Sequence, residues 1–212
     1  MARPGRNIEQ ALLKSGRKLY AQRGATGLSV RALTEHARVN LGMFHYHFRT
    51  KDEFLRRLLV GWYEEMFAAL SGRVQQDGPP LHRLQEALFF LASFARDQRT
   101  MLARVLMDAA GGNDVAAQFL RENAPRHLGL LLGFMEQAEK EGLVVPTPPL
   151  QRFIFVMSAV AMPLLIAPGL HSLGVAPKVL GAQMQKQVMS DDAIRQRIAM
   201  VLKAIATGKG WS

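Results

Sequence analysis

Apolar positions recur every three or four residues along nearly the whole chain, the period of an α-helix with one buried face, and almost nothing alternates as a strand does. Ile8, Ala11, Leu12, Leu19 and Tyr20 share one side of a first helix over 7–23, and Gly24 is a natural stop. Ser29 caps a second, short helix on which Val30, Leu33 and Ala37 form the apolar line, and a third short helix covers 41–47. The fourth starts at Lys51 and is long, with Phe54, Leu55, Leu58, Leu59, Trp62, Met66 and Leu70 at helical spacing up to the loop Asp77-Gly78-Pro79-Pro80. Further helices are predicted over 81–97, 98–110 and 114–141; Pro125 should bend or split the last of these. An apolar helix follows over 150–166, and Ser190 caps a final one over 190–206 with Ile194, Ile198, Val201, Leu202 and Ile205 on its inner face. About nine helices, no repeats and no low-complexity run make an all-α protein: a small N-terminal three-helix unit and a larger helical bundle.

The segment SVRALTEHARVNLGMFHYHFRTKDEF, residues 29–54, has the layout of a helix-turn-helix. Ala37-Arg38-Val39-Asn40 forms the turn, Val39 fills the angle between the helices, and Asn40 can cap the second of them. Phe44 and Phe48, four residues apart, point inward, which leaves Leu41, Gly42, Met43, His45, Tyr46 and His47 on or near the outer face. Thr50-Lys51-Asp52-Glu53 is a capping box opening the fourth helix.

Charge sharpens this picture. The net charge is +10, but residues 1–58 hold 12 Lys/Arg against 4 Asp/Glu, while the remaining chain holds 15 against 13. The basic field therefore coincides with the helix-turn-helix, as expected where a motif meets DNA phosphates. Arg3 and Arg6, around Pro4-Gly5, read equally as a minor-groove arm or a solvated tail. The absence of cysteine removes disulfides, thiolate metal sites and thiol nucleophiles, and the opening MARPGRNIEQ has no apolar leader stretch, so a cytoplasmic protein is expected. Between Phe153 and Pro177 there is no Lys, Arg, Asp or Glu; Pro163, Pro168 and Gly169 argue against one uninterrupted spanning helix, so a buried helix is expected and no membrane partner.

No nucleophile–base pair or phosphate loop stands out, so no enzyme activity and no cofactor are expected. His45 and His47, two apart on a helix, point about 200° apart and cannot share one ion, so no metal site is assigned. Arg104 and Asp108, at i and i+4, read as a surface ion pair. Trp62, Met66, Phe90, Phe94, Met107, Phe134 and Met157 are core residues one by one, yet together supply the adaptable surface of an apolar effector pocket, with His127 as its polar anchor and Arg126 beside it.

The helix ending at Gly24, SVRALTEHA, the turn ARVN, LGMFHYHF and TKDEFL together resemble the N-terminal domain of the TetR/AcrR family of bacterial transcriptional repressors. The resemblance covers the first ~60 residues; the remainder resembles the family only in helix count and apolar character. It implies a DNA-binding domain over 1–55 and an effector-binding and dimerisation domain over 56–212. Leu41, Gly42, Met43 and Tyr46 would then face base edges, His45 and His47 would approach phosphates, and Arg31 would reach a guanine. Lys51 would hold a phosphate, and Ser29 and Asn40 would cap helices whose free N–H groups also hold phosphate oxygens. Three residues depart from the family pattern: Arg38 stands where the turn usually has Gly, Met43 where Thr is common, and His45 where Tyr is usual. The implied function is a repressor that binds double-stranded DNA at a palindrome as a homodimer, through the 150–166 and 190–206 helices, and is released by a small, mostly apolar effector. The competing reading is an all-helical carrier or enzyme for lipid-like molecules in which the motif is incidental.

Overall fold

The computed structural model describes residues 4–74, 78–174, 181 and 183–208. Among them are nine α-helices, one π-helical turn and no strand, only an isolated antiparallel bridge between Val144 and Ala206. In chain order the helices are α1 (Pro4–Gly27), α2 (Val30–Ala37), α3 (Leu41–Phe48), α4 (Lys51–Val74), α5 (Pro80–Asp97), α6 (Arg99–Ala110), α7 (Asp114–Lys140), α8 (Pro149–Ser172) and α9 (Asp191–Ile205), with the π-helical turn over Gln185–Met189 before α9. The all-α expectation holds. The chain divides into two compact units, Met1–Glu65 with Thr100–Pro125, and Met66–Arg99 with Arg126–Ser212. The expected division at 55/56 concerns function; the compact units cut the chain elsewhere, because 56–65 and most of α6 pack with the N-terminal helices.

In the first unit α1, α2 and α3 pack on one another around the start of α4. The core of this head is aromatic: Phe44, Phe48 and Phe54 are fully buried, with ring centroids 5.6, 5.6 and 5.0 Å apart pairwise. The last contact is edge-to-face, the arrangement the ring quadrupoles favour. Gly16 lets α1 approach this cluster, since a Cβ there would lie 2.3 Å from the Phe54 ring. Arg17 of α1 forms a forked pair with Glu65 near the end of this unit's part of α4, at 2.6 and 2.5 Å.

Gly24 stops the first regular stretch of α1, as expected. Its φ of +70 turns the chain, and helical geometry resumes to Gly27. A side chain at 24 would strike Arg104 and Asp108, both 2.7 Å from an ideal Cβ, so the position needs glycine for space as well as for conformation. Asp108 accepts the Ala25 N–H at 2.8 Å, and Arg104 donates to the Gln22 carbonyl at 3.3 Å. These two residues are therefore not an ion pair with each other, as their spacing suggested; each ties α6 to the end of α1. Burial, and then the neighbouring Asp108 carboxylate, hold the Tyr20 phenol far above its usual pKa.

In the second unit α5, α8 and α9 pack mutually, and every apolar position expected of the last helix is buried. Arg152 is almost wholly enclosed and joins three segments, donating to Glu139 Oε2 at 2.7 Å, to the Thr147 carbonyl at 2.8 Å and to the Met135 carbonyl at 3.4 Å. Helix α7 is not split at Pro125, which lies at the boundary between the compact units. One proline-based expectation fails. Helix α8 runs through Pro163 and Pro168 for 24 residues, longer than the 150–166 expected. Proline's fixed φ is itself helical, so each loses one hydrogen bond without having to end the helix. The prolines therefore do not exclude a spanning helix: Pro149–Gly169 is long and apolar enough to cross a membrane by length and composition, and only 22 % of that stretch is buried.

Replacing Phe54 by Ala should lower the unfolding free energy by about 3–5 kcal/mol, because the ring leaves a cavity between α1, α3 and α4; chemical denaturation followed by circular dichroism measures it.

Candidate nucleic-acid interface

Each helix of the motif is capped by the residue its sequence supplies. Ser29 Oγ accepts the Ala32 N–H at 3.2 Å, and Asn40 Oδ1 accepts the Gly42 N–H at 2.8 Å. At the end of α2, Arg38 adopts φ 56, ψ 43, and the Val39 N–H reaches back to the Thr34 carbonyl at 2.9 Å. That is the left-handed helix ending in which glycine is usual. Thr50 Oγ1 accepts the Glu53 N–H at 3.1 Å, but Glu53 spends its carboxylate on Arg57 at 3.0 Å, so only half of the capping box forms.

With Phe44 and Phe48 facing inward, α3 presents Leu41 (49 % exposed), Gly42, His45 and Tyr46 (78 % exposed) to solvent, and Met43 sits at the edge of this face. His45 Nδ1 lies 3.2 Å from the Arg49 carbonyl, which orders the ring over the end of the helix. Arg31, on α2, is exposed and paired with Glu35 at 3.0 Å. Lys51 is half-buried at the first position of α4.

His47 departs from the outward face expected of it. Its side chain is 10 % exposed, Nδ1 lies 3.9 Å from Glu9 Oε2, and Nε2 is buried without a hydrogen-bond partner among the described residues. Its neighbour in the same cluster is Arg57, which pairs with Glu9 at 3.3 Å and lies over the Phe48 ring. The i, i+4 spacing of Glu53 and Arg57 is visible in the sequence; the bridge to Glu9 requires α1 to be in place. The geometry thus makes His47 a support of α3. Arg3 and the side chain of Arg6 lie outside the described residues.

The effector candidates fall in both units. Trp62 is buried and Met107 is 62 % exposed in the first; Met66, Phe90, Phe94, His127, Phe134 and Met157 are in the second. Met107 is too open to line an enclosed pocket. Phe90 and Phe94, one turn apart on α5, stack at 6.4 Å. Four arginines of the second unit cover aromatic faces, a feature that spacing does not reveal: Arg83 over Phe134 at 4.6 Å, Arg126 over Phe67 at 4.2 Å, Arg73 over Phe90 at 5.2 Å and Arg195 over Phe89 at 3.6 Å. Burial alone depresses the His127 imidazole to a pKa of about 4, so it is neutral at pH 7 and suited to neutral hydrogen bonding. Among the described residues no cluster of His, Asp or Glu could hold a metal ion.

Residues 12–58 match the family model of the bacterial regulatory proteins, tetR family. The chain is 34 % identical over 83 residues to the HTH-type transcriptional repressor KstR2 of Mycobacterium tuberculosis, covering 39 % of this chain and 40 % of that protein. It is 29 % identical over 79 residues to the HTH-type transcriptional repressor DhaR of Mycobacterium sp. (strain GP1), covering 37 % and 40 %. Both alignments therefore span less than half the length of the relatives. The fold as a whole is that of solved regulators: KstR2 superposes with a TM-score of 0.69 at 19 % identity, over 94 % of this chain and 95 % of that one. A TetR-family transcriptional regulator from Agrobacterium tumefaciens superposes with 0.70 at 14 %, over 96 % and 100 %.

The depressed His127 pKa has a stability consequence. The unfolded imidazole takes up a proton near its ordinary value of 6.5, whereas the folded one resists until about 4, so this contribution to stability is intact above 6.5 and is lost as pH falls through that window. Thermal unfolding midpoints of the wild type should fall more steeply between those limits than midpoints of His127→Leu; parallel pH profiles would contradict the assignment.

Proposed function

We propose that the chain, whose N-terminal segment matches the tetR-family model, is a ligand-responsive DNA-binding transcriptional repressor that acts as a homodimer in the cytoplasm. The observation that carries this is the exposed face of α3, Leu41, Gly42, His45 and Tyr46, on a helix capped by Asn40 within a segment carrying 12 Lys/Arg against 4 Asp/Glu. The Tyr46 ring meets the His47 ring edge-to-face at 5.2 Å and leaves 78 % of the residue to solvent; in a major groove that surface meets base edges and thymine methyls. Met43 adds apolar contact at the edge, Arg31 reads a guanine after releasing Glu35, and Lys51 with the capped N-termini of α2 and α3, at Ser29 and Asn40, grips phosphates.

One short helix reads only a few base pairs, so a palindrome read by two heads is the natural target. Helix α8 supports the dimer. Its residues Arg152, Val156, Val160 and Leu164 are buried in the second unit, and the stripe on its other side, Leu150, Ile154, Met162 and Ile166, is 43–69 % exposed. An apolar stripe of this length opposite a satisfied face fits a second copy, with α9 contributing the exposed Met200.

The effector is small and mostly apolar. Phe90, Phe94, Phe134, Met66 and Met157 supply the adaptable lining and neutral His127 the polar anchor. KstR2 is described as a ketosteroid regulator, and a rigid apolar molecule of that character suits such a lining. Helix α4 has residues in both compact units, Lys51 at one end and Met66 beyond, so a ligand that favours one position of α4 alters the heads.

Lys51→Ala should weaken binding to all duplexes alike and lower the salt slope by ~1, whereas Arg31→Ala should relax preference at one base pair at a discrimination loss of about 1–3 kcal/mol. Salt-dependent gel shifts on duplexes recovered by in vitro selection measure both; a selected pool without a palindrome would sink the dimeric reading. Ile154→Asp should convert dimer to monomer in sedimentation equilibrium.

A further inference from the structure

Among the described residues, the non-glycine positions with positive φ are Arg38 and Arg49, and they bracket α3. Arg38 closes the turn before it in the left-handed region. Arg49 closes the turn after it at φ 50, ψ −55, with the Thr50 N–H donating to the Phe48 carbonyl. That is a γ-turn with a positive central φ, a rare and strained form. Glycine occupies both kinds of site without steric penalty; an arginine there adds nothing to the turn. Residues kept in disfavoured backbone conformations cluster where function needs the side chain.

The side chains bear this out. Both are exposed, and among the described residues no hydrogen bond or ion pair engages either guanidinium. Arg38 lines a concavity of about 410 Å³ at the foot of α3, with Arg31, Thr34, Glu35, Val39 and Leu41. Glu35 is paired with Arg31, which leaves the Arg38 charge uncompensated beside the first reading residue, Leu41. A cation near the end of α2 also suits that helix's dipole, but His36 already stands in its last turn, and dipole compensation does not call for a residue in the glycine conformation.

We propose that Arg38 and Arg49 are phosphate-holding residues of the DNA interface, one at each end of α3, retained in glycine-favouring turns because their guanidinium groups clamp the backbone on either side of the bases that α3 reads. Arg38 sets a phosphate against the concavity, and Arg49 holds one beyond the helix end, beside Lys51. The inference rests on the reading of the head as DNA-binding, and adds two contacts to it.

The test uses the full-length protein and an arbitrary-sequence duplex of about 30 base pairs, because phosphate contacts act on any sequence. Arg38→Gly and Arg49→Gly should each keep or raise the unfolding midpoint, lower the slope of log affinity against log salt by ~0.9, and weaken binding about tenfold near 0.1 M salt. Arg38→Lys and Arg49→Lys should retain the slope. An unchanged slope in the glycine variants overturns the proposal, and so does a midpoint several degrees lower, which would assign the arginines to the fold. Lys51→Ala separates the two levels: if it weakens binding while the glycine variants do not, only the clamp fails; if the wild type ignores duplex even in dilute salt, the DNA-binding reading fails with it.

Discussion

The head depends on one packing constraint: Phe44, Phe48 and Phe54 must meet in a single buried cluster. Two of the rings come from α3 and one from α4, so their contact sets how α3 is rotated about its own axis. Once Phe44 and Phe48 are inside, the 100° step of the helix leaves Leu41, Gly42, His45 and Tyr46 outside. The same cluster explains Gly16, where α1 comes within reach of the Phe54 ring, and the position of Arg57, laid over Phe48 while bridging Glu9 and Glu53. Exposed ion pairs of this kind contribute little stability singly; their role here is to fix which way α1, α3 and α4 face one another.

A second constraint acts at the far end of α1. Gly24 breaks the helix, and the freed Ala25 N–H is taken by Asp108 of α6. A backbone donor inside a packed unit has to find an acceptor, and a carboxylate 83 residues away in sequence supplies it. That pairing draws α6 into the same compact unit as the helix-turn-helix, so the head as a physical object is larger than its motif. In the second unit the corresponding device is Arg152, whose guanidinium gathers α7, the following loop and α8 into one arrangement.

The two faces of α8 differ sharply in burial although both are mostly apolar. Residues at 152, 156, 160 and 164, four apart, are inside, and those at 150, 154, 162 and 166, four or eight apart, are outside. The whole helix therefore reads as apolar, and its hydropathy alone does not separate a buried, a dimerising or a spanning segment.

Local chemistry made much of this legible from the amino-acid order alone. The caps at Ser29 and Asn40, the inward Phe44 and Phe48, the basic bias of the first 58 residues and the apolar faces of α4 and α9 all follow from contacts within four residues or from composition. The left-handed Arg38 was hinted at only through the family resemblance, because glycine, the residue positive φ favours, is usual at that place in the turn. Proline misled at 163 and 168, since sequence registers its missing donor but not the surrounding packing that keeps a helix going. What tertiary structure alone decided involves partners far apart in the chain: His47 turned toward Glu9, Asp108 bound to Ala25 rather than paired with Arg104, the arginines laid over phenylalanines, and the γ-turn at Arg49. The physical reason is common to all of these. Helical periodicity tells which side of a helix is apolar, but a hydrogen bond or a ring contact needs two atoms within a few ångströms, and only the packed chain sets that distance.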